Sequence, residues 1–305
     1  MPLLESREAG LYCPAGDFYI DPQQPVRRAV LTHAHSDHAC PGSAAYLTAS
    51  RGLALVRERL GGEVPIEAVK YGEARTIGGV RVSLHPAGHI LGSSQIRIEQ
   101  GGEVWVVSGD FKLTPDPTCE PFEALRCHTF VTESTFALPV FRWEEEAAVI
   151  VAIEQWWAAN READRISLLL VYPLGKAQRI LARLRGDAKV DPSVERYSRL
   201  YREAGVALPE PAAGVAKKGD LLIAPPGFRR PAGASTAMAS GWMRIRGPRR
   251  RQSLDRGFVL SDHADWPQLL RAIDATQAES VWVTHGYTAP LARWLGEHGK
   301  AALAI

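Results

Sequence analysis

Short hydrophobic segments recur through the part of the chain that precedes Glu133. They are rich in β-branched and aromatic residues, which is typical of strands. The segments predicted as strands are FYID near Phe18, RAVLT near Val30, VRVSLH near Val82, SQIRIE near Ile96, VWVVSGD near Val106 and HTFVTES near Phe130. One helix is predicted from about Ser50, a candidate N-cap, to Leu60, where two glycines follow. This part is therefore expected to be mainly β-sheet.

The pattern changes after Glu133, where helical and strand segments alternate. Trp143 to Asn160 has the periodicity of a long helix, with three glutamates near its start, where the helix dipole favours acids. The strand ISLLLVY precedes a turn and the helical segment PLGKAQRILARL, and another helix is predicted over 194–204. Further on, the strand SVWVTHG lies between helices near Leu269 and Leu291. Such alternation predicts parallel strands covered by helices.

The composition indicates an ordinary globular protein. The 305 residues suffice for one large domain or two smaller ones, and 46% are hydrophobic and 23% charged. The cysteines at 13, 40, 119 and 127 have no CxxC spacing, which is typical of reduced thiols in a cytosolic protein. The first residues lack the pattern of a signal peptide, and no apolar run reaches membrane-spanning length. We therefore expect a cytoplasmic protein with no membrane segment.

The net charge of +2 combines two regions of opposite sign. Between Gly227 and Arg256 the chain has eight arginines and one acid, Asp255, whereas the remainder has 28 basic and 33 acidic residues. A basic segment in an otherwise acidic protein is typical of a surface that binds a polyanion. The alternative is a charged loop that contacts only solvent.

The densest group of candidate metal ligands is THAHSDH, which follows the hydrophobic run at 29–31. Imidazole nitrogens and carboxylate oxygens are ligands for a borderline-soft divalent metal. His33 and His35 alternate, so both point to one side of an extended segment, whereas Asp37 and His38 follow on a turn and can face a second position. As mere packing, these side chains would carry a desolvation cost without evident compensation. The spacing predicts two adjacent metal ions.

Three further candidate ligands lie where predicted strands end. His89 follows VRVSLH, Asp110 ends VWVVSGD, and His285 ends SVWVTHG. Loops at strand ends are the usual place for a site on an α/β scaffold, and the two oxygens of Asp110 allow it to bridge two ions. Asp21, at the end of FYID, is expected to orient a ligand through a hydrogen bond. His85 has no such position and is interpreted as structural.

These motifs resemble those of the metallo-β-lactamase superfamily. THAHSDH resembles its HxHxDH signature, and Asp21, His89 and Asp110 follow in the order of its other metal-site motifs. The resemblance extends over nearly the entire chain. It implies an α/β fold, in which a metallo-β-lactamase αββα sandwich is interrupted by an inserted domain.

The middle and end of the chain resemble the β-CASP branch of this superfamily, whose members cut DNA or RNA. TEST with Glu133, LSDHAD with His263 and THG with His285 resemble its additional motifs, and LLVYPLGKAQR and ASTAMASGW resemble parts of its inserted domain. The resemblance implies metallo-β-lactamase segments at 1–138 and 255–305 and a β-CASP insertion at 139–254 that clamps nucleic acid. The sequence GWMRIRGPRRRQSLDRGFVLSDHADW is most similar to bacterial exonucleases associated with ATP-dependent DNA ligases.

The resemblance also implies roles for the site residues. Two divalent ions, zinc or manganese, are expected about 3.5–4 Å apart. The ligands are expected in three groups: His33, His35 and His89 for one ion; Asp37, His38 and His285 for the other; and Asp110 between them. His263 is expected to donate a proton to the leaving oxygen, with Glu133 as its orienting partner. Asp37, His263 and Glu133 are thus the predicted catalytic residues.

Substrate contacts are expected from residues that can bind phosphate. Lys176 starts a helix whose backbone N–H groups favour anions. The other candidates are Ser36, Ser235 and Thr236 near a terminal phosphate, and Arg249, Arg250 and Arg251 along the nucleic-acid backbone. The first four have an alternative interpretation as helix-cap or turn residues. Trp242 is a candidate for stacking on a base, with a core tryptophan as the alternative.

The function that the resemblance implies is a metal-dependent DNA exonuclease in DNA repair, acting from 5′ ends. The expected partners are DNA that is single-stranded or has free ends, and a ligase and a helicase of the same pathway. A β-CASP ribonuclease is the main alternative, because RNA-processing members typically have a histidine at the motif of His285. A thioester or lactam hydrolase would not need the arginine segment or the insertion. A non-catalytic subunit tends to lose ligands, and here every motif position is filled.

Overall fold

The computed structural model describes residues 2–245, 247 and 253–305. The chain divides into two compact units. Unit 1 consists of Met1–Pro139 and His263–Ile305, and unit 2 consists of Val140–Asp262. The second unit is therefore an insertion between two segments of the first.

The described strands and helices are numbered in chain order. The strands are β1 (Glu5–Arg7), β2 (Gly10–Cys13), β3 (Phe18–Ile20), β4 (Ala29–Val30), β5 (Tyr46–Ala49), β6 (Ile66–Val69), β7 (Ala74–Ile77), β8 (Val80–Pro86), β9 (Ser94–Gln100), β10 (Glu103–Val107), β11 (Thr129–Ser134), β12 (Ser167–Leu170), β13 (Lys189–Val190), β14 (Leu221–Ala224), β15 (Ser235–Ala239), β16 (Arg256–Phe258), β17 (Ser280–Gly286) and β18 (Ala301–Ala304). The helices are α1 (Leu53–Leu60), α2 (Glu146–Glu162), α3 (Lys176–Leu181), α4 (Pro192–Glu203), α5 (Trp266–Ala275) and α6 (Thr288–Glu297). Short 3₁₀ turns occupy Ser50–Gly52 and Gly241–Arg244.

Unit 1 is built on two mixed sheets. The first has the order β1-β2-β3-β4-β5-β6, and its strands are parallel from β3 onward. The second has the order β18-β17-β11-β10-β9-β8-β7, with parallel pairing from β18 to β10 and antiparallel pairing beyond. β17 and β18 come from the segment after the insertion, so both segments of unit 1 share one sheet.

The core of unit 1 lies between its sheets and beneath its helices. Phe18, Ile20 and Leu47 of the first sheet pack with residues of β8 and β9 such as Leu84 and Ile98. On the other face of the second sheet, Val106, Phe130 and Val281 pack against Leu269 of α5 and Leu291 of α6. This layering is the αββα sandwich that the sequence predicted.

Unit 2 is a five-stranded parallel sheet of order β13-β14-β12-β15-β16. One face packs against α2, α3 and α4, with Ile153, Ile180 and Val194 in the interface. The other face buries Leu168, Leu222 and Met238 against neighbouring loops. The parallel, helix-covered sheet is the arrangement predicted from the alternating pattern.

Several element boundaries differ from the predictions. Ser50 does not cap α1, since a 3₁₀ turn precedes the helix and Gly52 holds the N-cap position. The helix predicted from Trp143 begins at Glu146, so only that glutamate lies in the first turn. The insertion predicted to end at 254 continues through β16, which pairs with β15 and so belongs to the sheet of unit 2.

Candidate metal centre

The THAHSDH segment follows β4 and forms a tight turn. The carbonyl of His35 accepts hydrogen bonds from the backbone N–H groups of His38 (3.1 Å) and Ala39 (2.8 Å). His33, His35 and His38 are buried, whereas Ser36 and Asp37 are exposed. The turn therefore directs three imidazoles inward and leaves Ser36 at the surface.

The first group of predicted ligands converges within the protein. His33 Nε2 and His89 Nε2 lie 3.1 and 3.0 Å from His35 Nδ1. Asp110 Oδ2 lies 3.5 Å from His33 Nε2 and 3.7 Å from His89 Nε2. Ligands about 2.0–2.1 Å from a tetrahedral ion stand roughly 3.3 Å apart. Three imidazoles and a carboxylate at this spacing fit a divalent metal ion.

The second group shares Asp110 with the first. His38 Nε2 lies 3.5 Å from Asp110 Oδ2 and 3.9 Å from Asp37 Oδ2. The His285 ring is centred 5.3 Å from the His38 ring. One carboxylate oxygen therefore faces both ligand groups, as expected of a bridging ligand. The second group is more open, because the Asp37 side chain is 70% exposed and His285 is also exposed.

His285 lies in a β-bulge between β11 and β17. Glu133 pairs with Thr284 and Ser134 pairs with Gly286, so His285 is the extra residue. Its φ of 50° is in the left-handed region, which is unfavourable for a histidine. Bulges often redirect a side chain next to a site. The strain at His285 is consistent with a functional position.

Asp21 and Thr32 hold the imidazoles in place. His38 Nδ1 donates to Asp21 Oδ2 (2.7 Å), and the Thr32 N–H donates to Asp21 Oδ1 (2.8 Å). The Thr32 hydroxyl contacts both Asp21 Oδ2 and His33 Nδ1. These contacts fix which nitrogen of His33 and His38 faces the metal position. Asp21 thus makes the hydrogen bond to a candidate ligand, His38, that an orienting residue requires.

Gly109 allows Asp110 to approach this network. Its φ is 56°, and a Cβ at this position would lie 2.7 Å from Thr32 Cβ. A side chain would therefore clash with Thr32 as well as strain the backbone. The glycine of VVSGD is required by the short distance between β10 and the Thr32 segment.

His263 and Glu133 form a pair beside the ligands. His263 Nδ1 lies 3.1 Å from both carboxylate oxygens of Glu133, and His263 Nε2 lies 3.9 Å from Asp110 Oδ2. Glu133 also accepts the backbone N–H of Phe111 at 3.0 Å. The carboxylate therefore orients the imidazole with Nε2 toward the ligand groups.

The electrostatics of the ligands follow from burial and close opposite charge. Burial lowers the pKa of His33 well below its ordinary value. Burial also opposes protonation of His38, but the carboxylates of Asp110 and Asp21 outweigh it and raise the pKa of His38. Burial opposes ionisation of Asp110, yet His38 and His263 keep the pKa of this carboxyl well below its ordinary value. Asp110 is thus held as a carboxylate, the form that binds metal.

The predicted phosphate-binding residues of unit 2 are not grouped together. Lys176 follows the carboxyl end of β12, and its Nζ lies 3.0 Å from Asp262 Oδ1. Ser235 and Thr236 pair with Ser167 and Leu168, at the amino end of the same strand. Because β12 and β15 are parallel, Lys176 lies beyond the carboxyl ends of the strands, whereas Ser235 and Thr236 lie at their amino ends. A single phosphate pocket formed by Lys176 with Ser235 and Thr236 is therefore not what the structure shows.

The side chains of Ser235 and Thr236 are also buried. Ser235 is 4% exposed and its hydroxyl accepts the indole N–H of Trp156 at 3.1 Å. The Thr236 N–H donates to Asp255. The predicted backbone contacts Arg249, Arg250 and Arg251 lie outside the described residues.

Two supporting residues were missed by the sequence analysis. Thr32 contacts Asp21, His33 and His38, and its place directly before the first ligand was the available signal. Gln23 Nε2 donates to the carbonyls of Asp37 (2.6 Å) and Asp21 (3.2 Å). Nothing in the sequence distinguishes Gln23, because its role depends on how the loop after β3 folds.

The comparison with protein families agrees with this geometry. Residues 13–149 match the model of the metallo-beta-lactamase superfamily. The chain contains a metallo-β-lactamase domain. Members of this superfamily use divalent metals, and the buried histidine and aspartate cluster of unit 1 has the ligand atoms to hold one.

Relatives within the superfamily include proteins named for nucleic-acid chemistry. A "Probable DNA ligase" of Opitutus terrae is 32% identical over 311 residues, which cover 97% of this chain and 30% of the ligase. Endoribonuclease YSH1 of Gibberella zeae is 33% identical over 121 residues, which cover 38% of this chain and 14% of that protein. The chain thus spans less than a third of the length of these relatives. They are consistent with the β-CASP branch.

A solved structure shows the same fold. The crystal structure of a protein of unknown function from Enterococcus faecalis superposes with a TM-score of 0.62, covering 91% of this chain and 78% of that one. The two sequences are 13% identical, so the similarity extends to the fold alone.

In the part of the chain that the structure describes, no helix combines the length and apolar character needed to cross a membrane.

Proposed function

We propose that this protein is a metal-dependent DNA exonuclease of DNA repair that hydrolyses strands from their 5′ ends. The observation that carries the proposal is the position of Asp110 Oδ2, 3.5–3.9 Å from a nitrogen of each of His33, His38, His89 and His263. One carboxylate oxygen between two ligand groups suits two adjacent ions. When bound, such ions supply an acidified water as nucleophile and positive charge for the phosphate oxygens.

The chain's own residues perform the remaining steps. The second ligand group is open at Asp37 and His285, which are exposed, and this gives the scissile phosphate access. His263, held by Glu133 through Nδ1, presents Nε2 toward the same position and donates its proton there to the leaving oxygen. Lys176, at the first position of α3, binds a phosphate of the strand, with Asp262 fixing its ammonium group.

One comparison supports DNA as the substrate. The match to the DNA ligase covers 97% of this chain, whereas the match to the endoribonuclease covers 38%. The ligase match also supports a ligase as a functional partner. The sequence resemblance supports the remaining parts of the proposal. These are the 5′ polarity, the preference for a 5′-phosphate, the choice of zinc or manganese, the helicase partner and the cytoplasmic location.

A β-CASP ribonuclease is the second candidate. His285 supports it, because this histidine is typical of the RNA-processing members that the sequence resembles. The endoribonuclease match supports it as well.

End-labelled strands separate these candidates. Single-stranded DNA and RNA of one sequence, each with and without a 5′-phosphate, are digested with zinc or manganese. We expect a 5′-labelled DNA strand to release mononucleotide at once, while a 3′-labelled strand shortens stepwise. Equal or faster cleavage of RNA would favour the ribonuclease, and stepwise ladders from the 5′ label would reverse the polarity.

A further inference from the structure

The imidazole of His285 is held differently from the rings of other candidate ligands. The Thr32 hydroxyl contacts Nδ1 of His33 at 3.0 Å. Asp21 accepts a hydrogen bond from Nδ1 of His38 at 2.7 Å. Among the described residues, no hydrogen bond reaches the ring of His285, which lies beside the His38 ring. The direction of the His285 imidazole is therefore set by its backbone.

Ser134 holds the backbone segment that carries this ring. Its hydroxyl donates to the carbonyl of His285 at 2.6 Å and lies 3.0 Å from the carbonyl of Thr284. Its own carbonyl accepts the Tyr287 N–H at 2.9 Å. Ser134 thus bonds to the chain on both sides of the bulged residue, where the regular ladder between β11 and β17 is interrupted.

The contact between Ser134 and the bulge is buried and close. Ser134 is fully buried, and in the described chain its hydroxyl contacts only the two carbonyls of β17. Gly286 permits the close approach, because its φ is 100° and a Cβ there would lie 2.5 Å from the Ser134 carbonyl oxygen. The serine hydroxyl therefore supplies the bulge with a donor that the strand ladder does not.

Removal of this donor would favour a different backbone conformation at His285. Its φ of 50° costs free energy, and such a conformation persists only where surrounding contacts impose it. Without the Ser134 hydroxyl, the carbonyl of His285 loses a partner and the bulge loses one of these contacts. A return to regular strand geometry would turn the imidazole, because successive side chains of a strand point to opposite faces.

We propose that Ser134 is a positioning residue that fixes the bulge at His285, so that its imidazole completes the second ligand group. The inference rests on the proposed two-ion site and specifies what holds its exposed histidine. The first ligand group does not depend on this bulge, since His33, His35 and His89 follow β4 and β8. Loss of the Ser134 hydroxyl should therefore affect one ion and spare the other.

The test measures binding of zinc alone to the metal-free protein by equilibrium dialysis, with bound zinc counted by mass spectrometry. Ser134→Ala should weaken one of two binding steps by about 10- to 100-fold, the usual effect of removing a group that orients a ligand, and leave the other step unchanged. Ser134→Thr should restore most of the affinity because it keeps the hydroxyl. Ser83→Ala is the matched control, since it removes a buried hydroxyl that contacts His85 on β8 of the same sheet.

A double-mutant cycle with His285→Ala gives the decisive measurement. If Ser134 acts through His285, adding Ser134→Ala to the His285→Ala protein should weaken zinc binding no further. Equal losses in both backgrounds, equal losses at both binding steps, or unchanged zinc binding in Ser134→Ala would overturn the positioning role.

Two further outcomes are separable from these. Should Ser134→Ala not fold, Ser134→Cys, which has a weaker donor of similar size, should show the same selective loss. An unsubstituted protein that binds fewer than two zinc ions would overturn the proposed two-ion function, and the positioning role with it.

Discussion

At the scale of single residues, the site depends on one oxygen atom. Asp110 Oδ2 faces both ligand groups, so Asp110→Ala should lose at least one of two bound ions and reduce cleavage to background. Metal content by mass spectrometry and cleavage of an end-labelled strand measure the two effects. Asp116→Asn is the control, because this buried aspartate accepts hydrogen bonds from Thr118 and an amide oxygen can replace it. Retention of two ions and normal turnover in Asp110→Ala would contradict the bridging assignment.

The pair of His263 and Glu133 gives a second residue-scale prediction. His263→Ala should keep both ions but slow cleavage by about 10²–10⁴-fold, the usual effect of a lost general acid. Glu133→Gln should slow it less, since an amide oxygen still accepts the Phe111 N–H and the His263 Nδ1–H. If His263→Ala loses metal instead, the imidazole is a ligand and its assignment as the acid is wrong.

At the scale of elements, a buried ion pair joins two helices of unit 2. Arg179 Nη1 of α3 lies 2.7 Å from Oε1 of Glu146, in the first turn of α2. The side chains of Arg179 and Glu146 are 1% and 11% exposed. Arg179→Met should destabilise the unit by about 3–5 kcal/mol, because it leaves a carboxylate buried without its main partner. Adding Glu146→Leu should recover most of this loss. Arg183→Met, at the more exposed and longer contact with Glu146, is the control. Urea unfolding followed by tryptophan fluorescence measures all three, and an unchanged midpoint in Arg179→Met would contradict the prediction.

The elements also show what the sequence could and could not predict. Hydrophobic patterns located β8 to β11, β17 and the helices of unit 2, because each contains several buried apolar residues. The strand ends located the candidate metal ligands, because His89 and Asp110 follow β8 and β10, and His285 lies at the end of β17 in the same sheet. Ser235 and Thr236 were wrongly grouped with Lys176, since the sequence alone does not show that β15 begins at Ser235 and pairs with the amino end of β12. A strand as short as β13 owes its pairing to β14, more than 30 positions later in the sequence, and so leaves little local pattern.

At the scale of the whole molecule, the excess of positive charge lies in one segment of the chain. Arg249, Arg250 and Arg251 lie in the basic region that the sequence identified. The salt dependence of DNA binding is the slope of the logarithm of the binding constant against the logarithm of the salt concentration. Replacing all three arginines with alanine should reduce this slope by about two to three units, if each arginine displaces counterions at one phosphate. Binding titrations between 50 and 200 mM salt, roughly the range where this term changes affinity strongly, measure the slope. An unchanged slope would assign these arginines to a loop that contacts only solvent.

The discontinuous construction of unit 1 has a consequence for how the protein acquires its site. The contact between Glu133 and His263 spans 130 positions, and β17 must pair with β11 across the same insertion. Closing so long a loop costs chain entropy. This cost is smaller if the intervening 140–262 segment folds first and holds its two ends closer together. Contacts of such long range form late and slowly. Refolding should therefore restore secondary structure before metal-binding capacity, and the delay should lengthen when the Arg179–Glu146 pair is broken.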